Sequence, residues 1–228
     1  MSPVYLYAIL GAAPRAHLGL GIADEPLTLL ASGDVLAAVG AMGELPAASR
    51  DAVVRHDAVV RRLAEATDAV LPARFGMVRD VPVLVEWLTA VADALHDALV
   101  LVAGREQMTL HVFGGEPPTP SPTATEALDD AGAAGPGTRY LGRRRAAQRA
   151  VVPELASLRE RLDGLVAAER VELRATPPLR ATVYHLVERG RSGAYRDAIA
   201  SPDGLPPGVR LRVSGPWAPY AFAAAAIP

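Results

Sequence analysis

Hydrophobic and polar positions in the first part of the chain follow the spacing of β-strands. Residues 4–10 form an uninterrupted apolar run rich in β-branched and aromatic side chains, which is typical of a buried strand. Two further apolar runs occupy residues 27–31 and 35–39, and the Ser-Gly-Asp triplet at 32–34 has the composition of a tight turn. The pattern therefore predicts a small sheet that contains a β-hairpin.

The spacing then changes to that of helices. Ser49 is a suitable N-cap, and apolar residues recur behind it at intervals near three, four and seven, so a first helix is predicted to run as far as Pro72. A second apolar stripe predicts one helix from about Pro82 to Gly104. Residues 108–113 alternate again in the manner of a sheet strand.

The second half repeats this mixed pattern after a change in composition. Residues 116–137 are rich in Pro, Thr, Gly and Ala and are predicted to be a linker or an exposed loop. A leucine repeat predicts a helix over residues 140–170, kinked or restarted at Pro153. The remaining predicted elements are strands at 171–175, 180–187 and 209–213 and a helix at 192–200.

Strands beside helices in both halves predict an α+β fold. We expect two small mixed domains, residues 1–115 and 138–228, joined by the 116–137 segment. The second domain would carry the long leading helix and would end in an aromatic segment.

The composition excludes several classes of function. The chain has 228 residues, half of them hydrophobic, and a net charge of −2, which argues against a nucleic-acid partner. Cysteine is absent, which excludes disulfides and thiolate chemistry. The N-terminus lacks a signal-peptide pattern, and charged side chains interrupt the apolar stretch 81–103, so we expect neither a signal peptide nor a membrane partner. The absence of cysteine is compatible with the reducing cytoplasm.

No catalytic, cofactor or metal site is predicted. The five histidines lie in no metal-ligand pattern, the glycine pairs lack the remainder of a phosphate-binding loop, and no Gly-x-Ser-x-Gly elbow occurs. An enzyme whose site is assembled only by the fold remains an open alternative.

The segment 215–222 crowds two prolines and three aromatics into eight residues. Because each proline fixes φ and removes a backbone donor, the segment is predicted to form a rigid turn that cannot extend the preceding strand. Trp217, Tyr220 and Phe222 are interpreted either as a plug over the core of the second domain or as an anchor for another protein.

A second unusual block lies at residues 71–76, after the first predicted helix. Arg74 and Phe75 in this block are interpreted either as a staple between helix and sheet or as an interface anchor. His56, on the helix before them, either packs locally or contacts a partner.

These blocks, in this order, resemble the gas vesicle protein GvpF/GvpL family. The resemblance spans nearly the whole chain. It is carried by YLYAI at residues 5–9, HDAVV at 56–60, LPARFG at 71–76, YL at 140–141 and GPWAPYAF at 215–222.

The resemblance implies a non-enzymatic accessory protein needed for gas vesicle assembly, which binds the main shell protein and other accessory proteins without a cofactor. It also implies two α+β domains of ferredoxin-like character with additional helices. The alternatives are a minor structural component of the finished shell and an enzyme with a loop-assembled site. The candidate partner-binding or staple residues are His56, Arg74, Phe75, Trp217, Tyr220 and Phe222.

Overall fold

The structure is a computed structural model that describes residues 3–42, 47–114, 152, 155–174, 177–200, 204–224 and 226–227. It contains two antiparallel sheets with helices, so the predicted α+β class is confirmed. The chain divides into two compact units, Met1–Gln107 with Pro216–Pro228, and Met108–Gly215. The predicted 116–137 linker lies outside the described residues.

The first unit is built around a sheet with the strand order β2-β3-β1-β4, in which β5 also pairs with β1. Its strands are β1 (Pro3–Leu10), β2 (Leu27–Ser32), β3 (Val35–Ala41), β4 (Val70–Pro72) and β5 (Val78–Asp80). Strand β1 is central and almost wholly buried, and β2 and β3 form an antiparallel pair. The predicted first strand and hairpin are therefore confirmed.

One edge of β1 is shared by two short strands. Residues 8–10 pair with β4 and residues 3–5 pair with β5. Between them the Ala73 N–H donates to the Tyr7 carbonyl at 2.9 Å, and the Leu6 N–H donates to the Met77 carbonyl at 2.9 Å. The intervening Arg74-Phe75-Gly76 segment therefore leaves the ladder as a loop, which we call the Arg74 loop.

Helix α1 (Arg50–Ala66) begins where the sequence predicts. Ser49 is its N-cap, and the Ser49 hydroxyl accepts from the Ala52 N–H at 3.1 Å. The prediction that this helix reaches Pro72 is wrong, because Thr67 turns extended and Val70–Pro72 pairs with β1. So short a strand is stabilised by its pairing with β1, and three residues are too few for an alternating sequence pattern to predict it.

The single helix predicted after it is two helices, α2 (Val81–Ala90) and α3 (Ala92–Val102). The break falls at Val91, whose φ of −114° and ψ of 15° lie outside the helical region. Since neither proline nor glycine stands at the break, the sequence carries no local signal for it.

The second unit has a sheet with the strand order β7-β8-β6-β9. Its elements are β6 (Arg105–Phe113), α4 (Ala156–Arg161), β7 (Val166–Leu173), β8 (Leu179–Glu188), α5 (Ser192–Ala200) and β9 (Arg210–Trp217). The chain order βαββαβ is that of ferredoxin-like domains, as the resemblance implied. The strands predicted at 108–113, 180–187 and 209–213 and the helix at 192–200 are confirmed.

The helix predicted over 140–170 is wrong in its last part. The described helix α4 ends at Arg161, and Val166–Leu173 is strand β7. Asp163-Gly164 makes the turn between them, with a φ of 72° at Gly164 that favours glycine. The leucines on which the helix prediction was based, Leu155, Leu158, Leu162 and Leu165, do pack in the core. Their burial is compatible both with a long helix and with a short helix that is followed by a turn, so the pattern did not show where the helix ends.

The terminal aromatic segment differs from its prediction in two ways. Strand β9 continues through Pro216 to Trp217, which an edge strand tolerates because its outer side needs no N–H donor. The segment also belongs to the first unit, not to the second domain as predicted. Helix α6 (Tyr220–Ala223) follows and contacts β4 and α3 of the first unit, and Phe222 is buried there.

Candidate functional site

One groove in the first unit gathers five of the six candidate residues. It has a volume of about 550 Å³, and we call it the Trp217 groove. It is lined by Val53, Val54, His56, Asp57, Arg61, Arg74, Phe75, Trp217 and Tyr220. Phe222 does not line it and lies in the core instead.

The walls of the groove expose large apolar side chains. Val53 and Val54 on α1 are 46% and 57% exposed, and Trp217 is 41% exposed. A concave site with an apolar lining and a few polar groups is a common form of binding site. The groove is therefore suited to holding apolar side chains.

Buried His56 lines the groove and fixes the Arg74 loop through hydrogen bonds. Its Nε2 lies 3.0 Å from the Ala73 carbonyl, which can only accept, so Nε2 carries the hydrogen. The Nδ1 atom then accepts from the Tyr5 hydroxyl at 3.0 Å, and the Tyr5 oxygen accepts from the Gly76 N–H at 2.9 Å. Burial lowers the pKa of His56, so the ring is neutral at neutral pH. Through these hydrogen bonds Ala73, at one end of the Arg74 loop, is bound to α1, and Gly76, at the other end, is bound to β1.

Aromatic contacts fix the loop further. The Phe75 ring meets His56 edge-on with the ring centroids 5.9 Å apart, and it meets Tyr5 in the same way at 6.3 Å. Such edge-to-face pairs favour one ring orientation. Burial also raises the pKa of Tyr5 to about 12, although its hydrogen bond from Gly76 acts in the opposite direction, so this hydroxyl stays protonated at neutral pH.

A second tyrosine on β1 extends this support. The Tyr7 hydroxyl donates to Glu25, accepts from the Ile22 N–H at 2.9 Å, and its ring stacks on His56 at 5.7 Å. A Cβ on Gly21 would lie 1.8 Å from a Glu25 carboxylate oxygen, so the absence of a side chain makes room for the carboxylate. Sequence reasoning missed these supporting residues, although the two tyrosines stand two apart on one face of β1.

The charges in the groove do not cancel. Asp57 pairs with Arg61 at 2.6 Å and accepts a hydrogen bond from the Tyr220 hydroxyl at 3.4 Å. Burial is the larger cause that raises the pKa of Tyr220, and the negative charge of Asp57 raises it further. Arg74 is exposed and has no ion pair with any residue that the structure describes. Among the described residues, the Arg74 guanidinium therefore stands beside apolar surface without an ion pair.

The hydrogen bonds of the groove give His56 a structural role. Both of its ring nitrogens are engaged in hydrogen bonds that hold the Arg74 loop. No group of three metal-ligating side chains occurs within the described ranges. Among the helices that the structure describes, none is both long and apolar enough to span a membrane.

A separate polar cluster is buried in the second unit. Glu169 on β7 receives hydrogen bonds from Arg159, with Nη2 to Oε1 at 3.0 Å, and lies 3.0 Å from His185 Nε2. The other nitrogen of His185 is 2.7 Å from the Tyr195 hydroxyl oxygen. Because Tyr195 and His185 are buried, we interpret this cluster as a structural one.

Comparisons with known proteins agree with the sequence resemblance. A family model described as gas vesicle synthesis protein GvpL/GvpF matches residues 3–224. Gas vesicle protein L of Streptomyces sp. (strain CB03234) is 31% identical over 257 aligned positions, which cover 96% of this chain and 92% of that relative.

Two solved structures share the fold. The crystal structure of GvpF from Microcystis aeruginosa has a TM-score of 0.70 at 17% identity and covers 98% of this chain and 99% of that one. GvpF from Anabaena sp. PCC7120 has a TM-score of 0.68 at 17% identity, with coverage of 98% and 96%. The family model and the Streptomyces relative show that the chain belongs to the GvpL/GvpF family of gas vesicle proteins.

Proposed function

We propose that this protein is a cytoplasmic accessory protein of gas vesicle assembly and that it acts by binding other gas vesicle proteins. Its main partner would be the shell protein, with an apolar segment of that protein held in the Trp217 groove. Family membership supports a role with gas vesicles. The observation that carries the binding role is the exposed apolar lining of the groove.

The physical need for such a partner follows from the shell itself. A subunit that presents an apolar face to gas exposes that face to water before assembly and is prone to aggregate. A groove with exposed valines and a tryptophan can cover part of this surface. Trp217 and Arg74 also belong to residue types that carry much of the energy in protein interfaces.

Catalysis is less well supported than binding. The enzyme alternative requires a free proton-transfer group near Arg74, whereas the nearby His56 holds the Arg74 loop through both nitrogens. The pairing of Asp57 with Arg61 also occupies the carboxylate that lines the groove. We therefore propose binding without turnover.

The groove would serve equally well if the protein remained in the finished shell as a minor component. A urea wash of purified vesicles separates the two roles. A protein that acts only during assembly is washed off, while a shell component is retained.

We expect Val54→Ser to weaken binding of the shell protein by about tenfold, because it removes apolar contact area from the groove wall. Stability should be unchanged, since the side chain is more than half exposed. The matched control is Val83→Ser on α2, a valine that is 49% exposed and does not line the groove. Affinity is measured by co-purification and titration with the full chain. Equal binding by the two variants would refute the groove as the docking site.

A further inference from the structure

We propose that the occupant of the Trp217 groove is an amphipathic helical segment that places a carboxylate against Arg74. This inference rests on the proposed function and specifies the chemistry of the partner. It follows from the charge balance and the shape of the groove.

The charge balance calls for an anion. Asp57 is already satisfied by Arg61 and Tyr220, whereas Arg74 has no ion pair with any described residue. An apolar segment laid across the groove would remove water from the Arg74 guanidinium, which is costly unless an opposite charge replaces the water. A carboxylate in the partner can accept two parallel hydrogen bonds from that guanidinium.

The same cost gives specificity. A segment that is apolar throughout would leave Arg74 buried and unpaired, and a basic segment would be repelled. Arg74 therefore selects among apolar segments by rejecting those without a carboxylate. This discrimination requires that the backbone that carries Arg74 be held in place, and the His56 and Tyr5 hydrogen bonds to Ala73 and Gly76 on either side of it hold that backbone.

The shape favours a helix over a strand. Strands β4 and β5, which flank the Arg74 loop, have three residues each, so they offer no continuous ladder for an added strand. Trp217 is the last residue of edge strand β9, and Pro216 before it has no N–H to donate to an added strand. The groove instead has a helical wall in α1, with Val53, Asp57 and Arg61 four residues apart along one face. A helix that lays its apolar face in such a groove contacts it through side chains three and four residues apart.

The test measures binding of peptides that span the main shell protein to the full chain and to three Arg74 variants. We expect Arg74→Glu to weaken binding by about ten- to a hundredfold and Arg74→Gln by less, while Arg74→Lys retains part of the affinity. The control is Arg79→Glu on β5, another exposed arginine, which should bind within about twofold of the unchanged protein. Changing the Asp or Glu of a bound peptide to Asn or Gln should reproduce the loss.

Two further readouts locate the effect. In a Trp87→Phe background Trp217 is the sole tryptophan, so a shift in its emission reports occupation of the groove. Added salt should weaken binding to the unchanged chain more than binding to Arg74→Gln, because only the former contains the ion pair. Thermal unfolding confirms that each variant is folded.

The outcomes separate the two proposals. If Trp217→Ala abolishes peptide binding but Arg74→Glu and Arg74→Gln bind normally, the carboxylate inference is wrong and the proposed function stands. If no shell peptide binds to the unchanged protein, the proposed function itself fails. If the unchanged chain is a dimer that Trp217→Ala dissociates, the occupant is a second copy and the inference is overturned.

Discussion

Replacing Glu169 by Gln is expected to lower the free energy of unfolding by about 3 kcal/mol at neutral pH, because it removes the carboxylate charge from a largely buried ion pair with Arg159. The glutamine keeps the size of the side chain, so the loss reports charge rather than volume. Chemical denaturation measures the loss, and hydrogen exchange of β7 and β8 assigns it to the second unit.

The pH dependence of the free energy of unfolding provides a second test of the Glu169 ion pair. Burial opposes ionisation of Glu169, but hydrogen bonds from His185 and Arg159 outweigh it and lower the pKa from 4.5 to about 2. Since the folded pKa lies below the unfolded one, the stabilisation is complete above about pH 4.5 and is lost as the pH falls towards 2. Glu169→Gln should lack this loss.

Glu172 on the same strand provides the matched control. It pairs with Arg174 at 2.7 Å, but both side chains are about half exposed. Glu172→Gln should therefore cost less than about 1 kcal/mol. Equal losses for the two variants would show that the Glu169 cluster is not a buried ion pair.

His56→Leu is expected to lower the free energy of unfolding by about 2 to 4 kcal/mol, because it leaves the Ala73 carbonyl and the Tyr5 hydroxyl without their buried partner. The amide of Gly76 should exchange faster, since the Tyr5 hydroxyl that it contacts is no longer held. The control is His96→Leu on α3, an exposed histidine whose replacement should change stability by less than about 0.5 kcal/mol.

His56 also contributes a pH dependence in a different range. Burial lowers its pKa below 6.5, so the unfolded chain takes up a proton more readily than the folded one. The contribution of His56 is therefore complete above about pH 6.5 and declines as the pH falls. His56→Leu should remove this decline, and a profile unchanged by the substitution would contradict a buried neutral ring.

The parts of the fold that local patterns specify were predicted from the sequence. The apolar run of β1, the turn at residues 32–34 and the Ser49 cap each act over a few residues. Strand β4 and the break at Val91 depend on distant partners, so local spacing indicated helix at both places. In the second unit, the first part of β7 was likewise predicted as helix. The leucines just before it, Leu155, Leu158, Leu162 and Leu165, fit a helical repeat and also pack in the core.

The groove shows the same limit. Arg74 and Trp217 were singled out because prolines and aromatics crowd around them, yet they lie far apart in sequence and their meeting in one groove depends on the tertiary structure. Tyr5 and Tyr7 carry no unusual local pattern, so their support of the Arg74 loop could be found only from their contacts. The return of residues 216–228 to the first unit has no local signal either.

Photo-cross-linking from the groove tests the central claim most directly. A benzoylphenylalanine placed at Val54 in the full chain, in cells that also produce the shell protein, should form an adduct with that protein. The same group at the similarly exposed Val83 should form none. Adducts of equal yield from both positions, or none from position 54 while the shell protein still co-purifies, would contradict docking in the Trp217 groove.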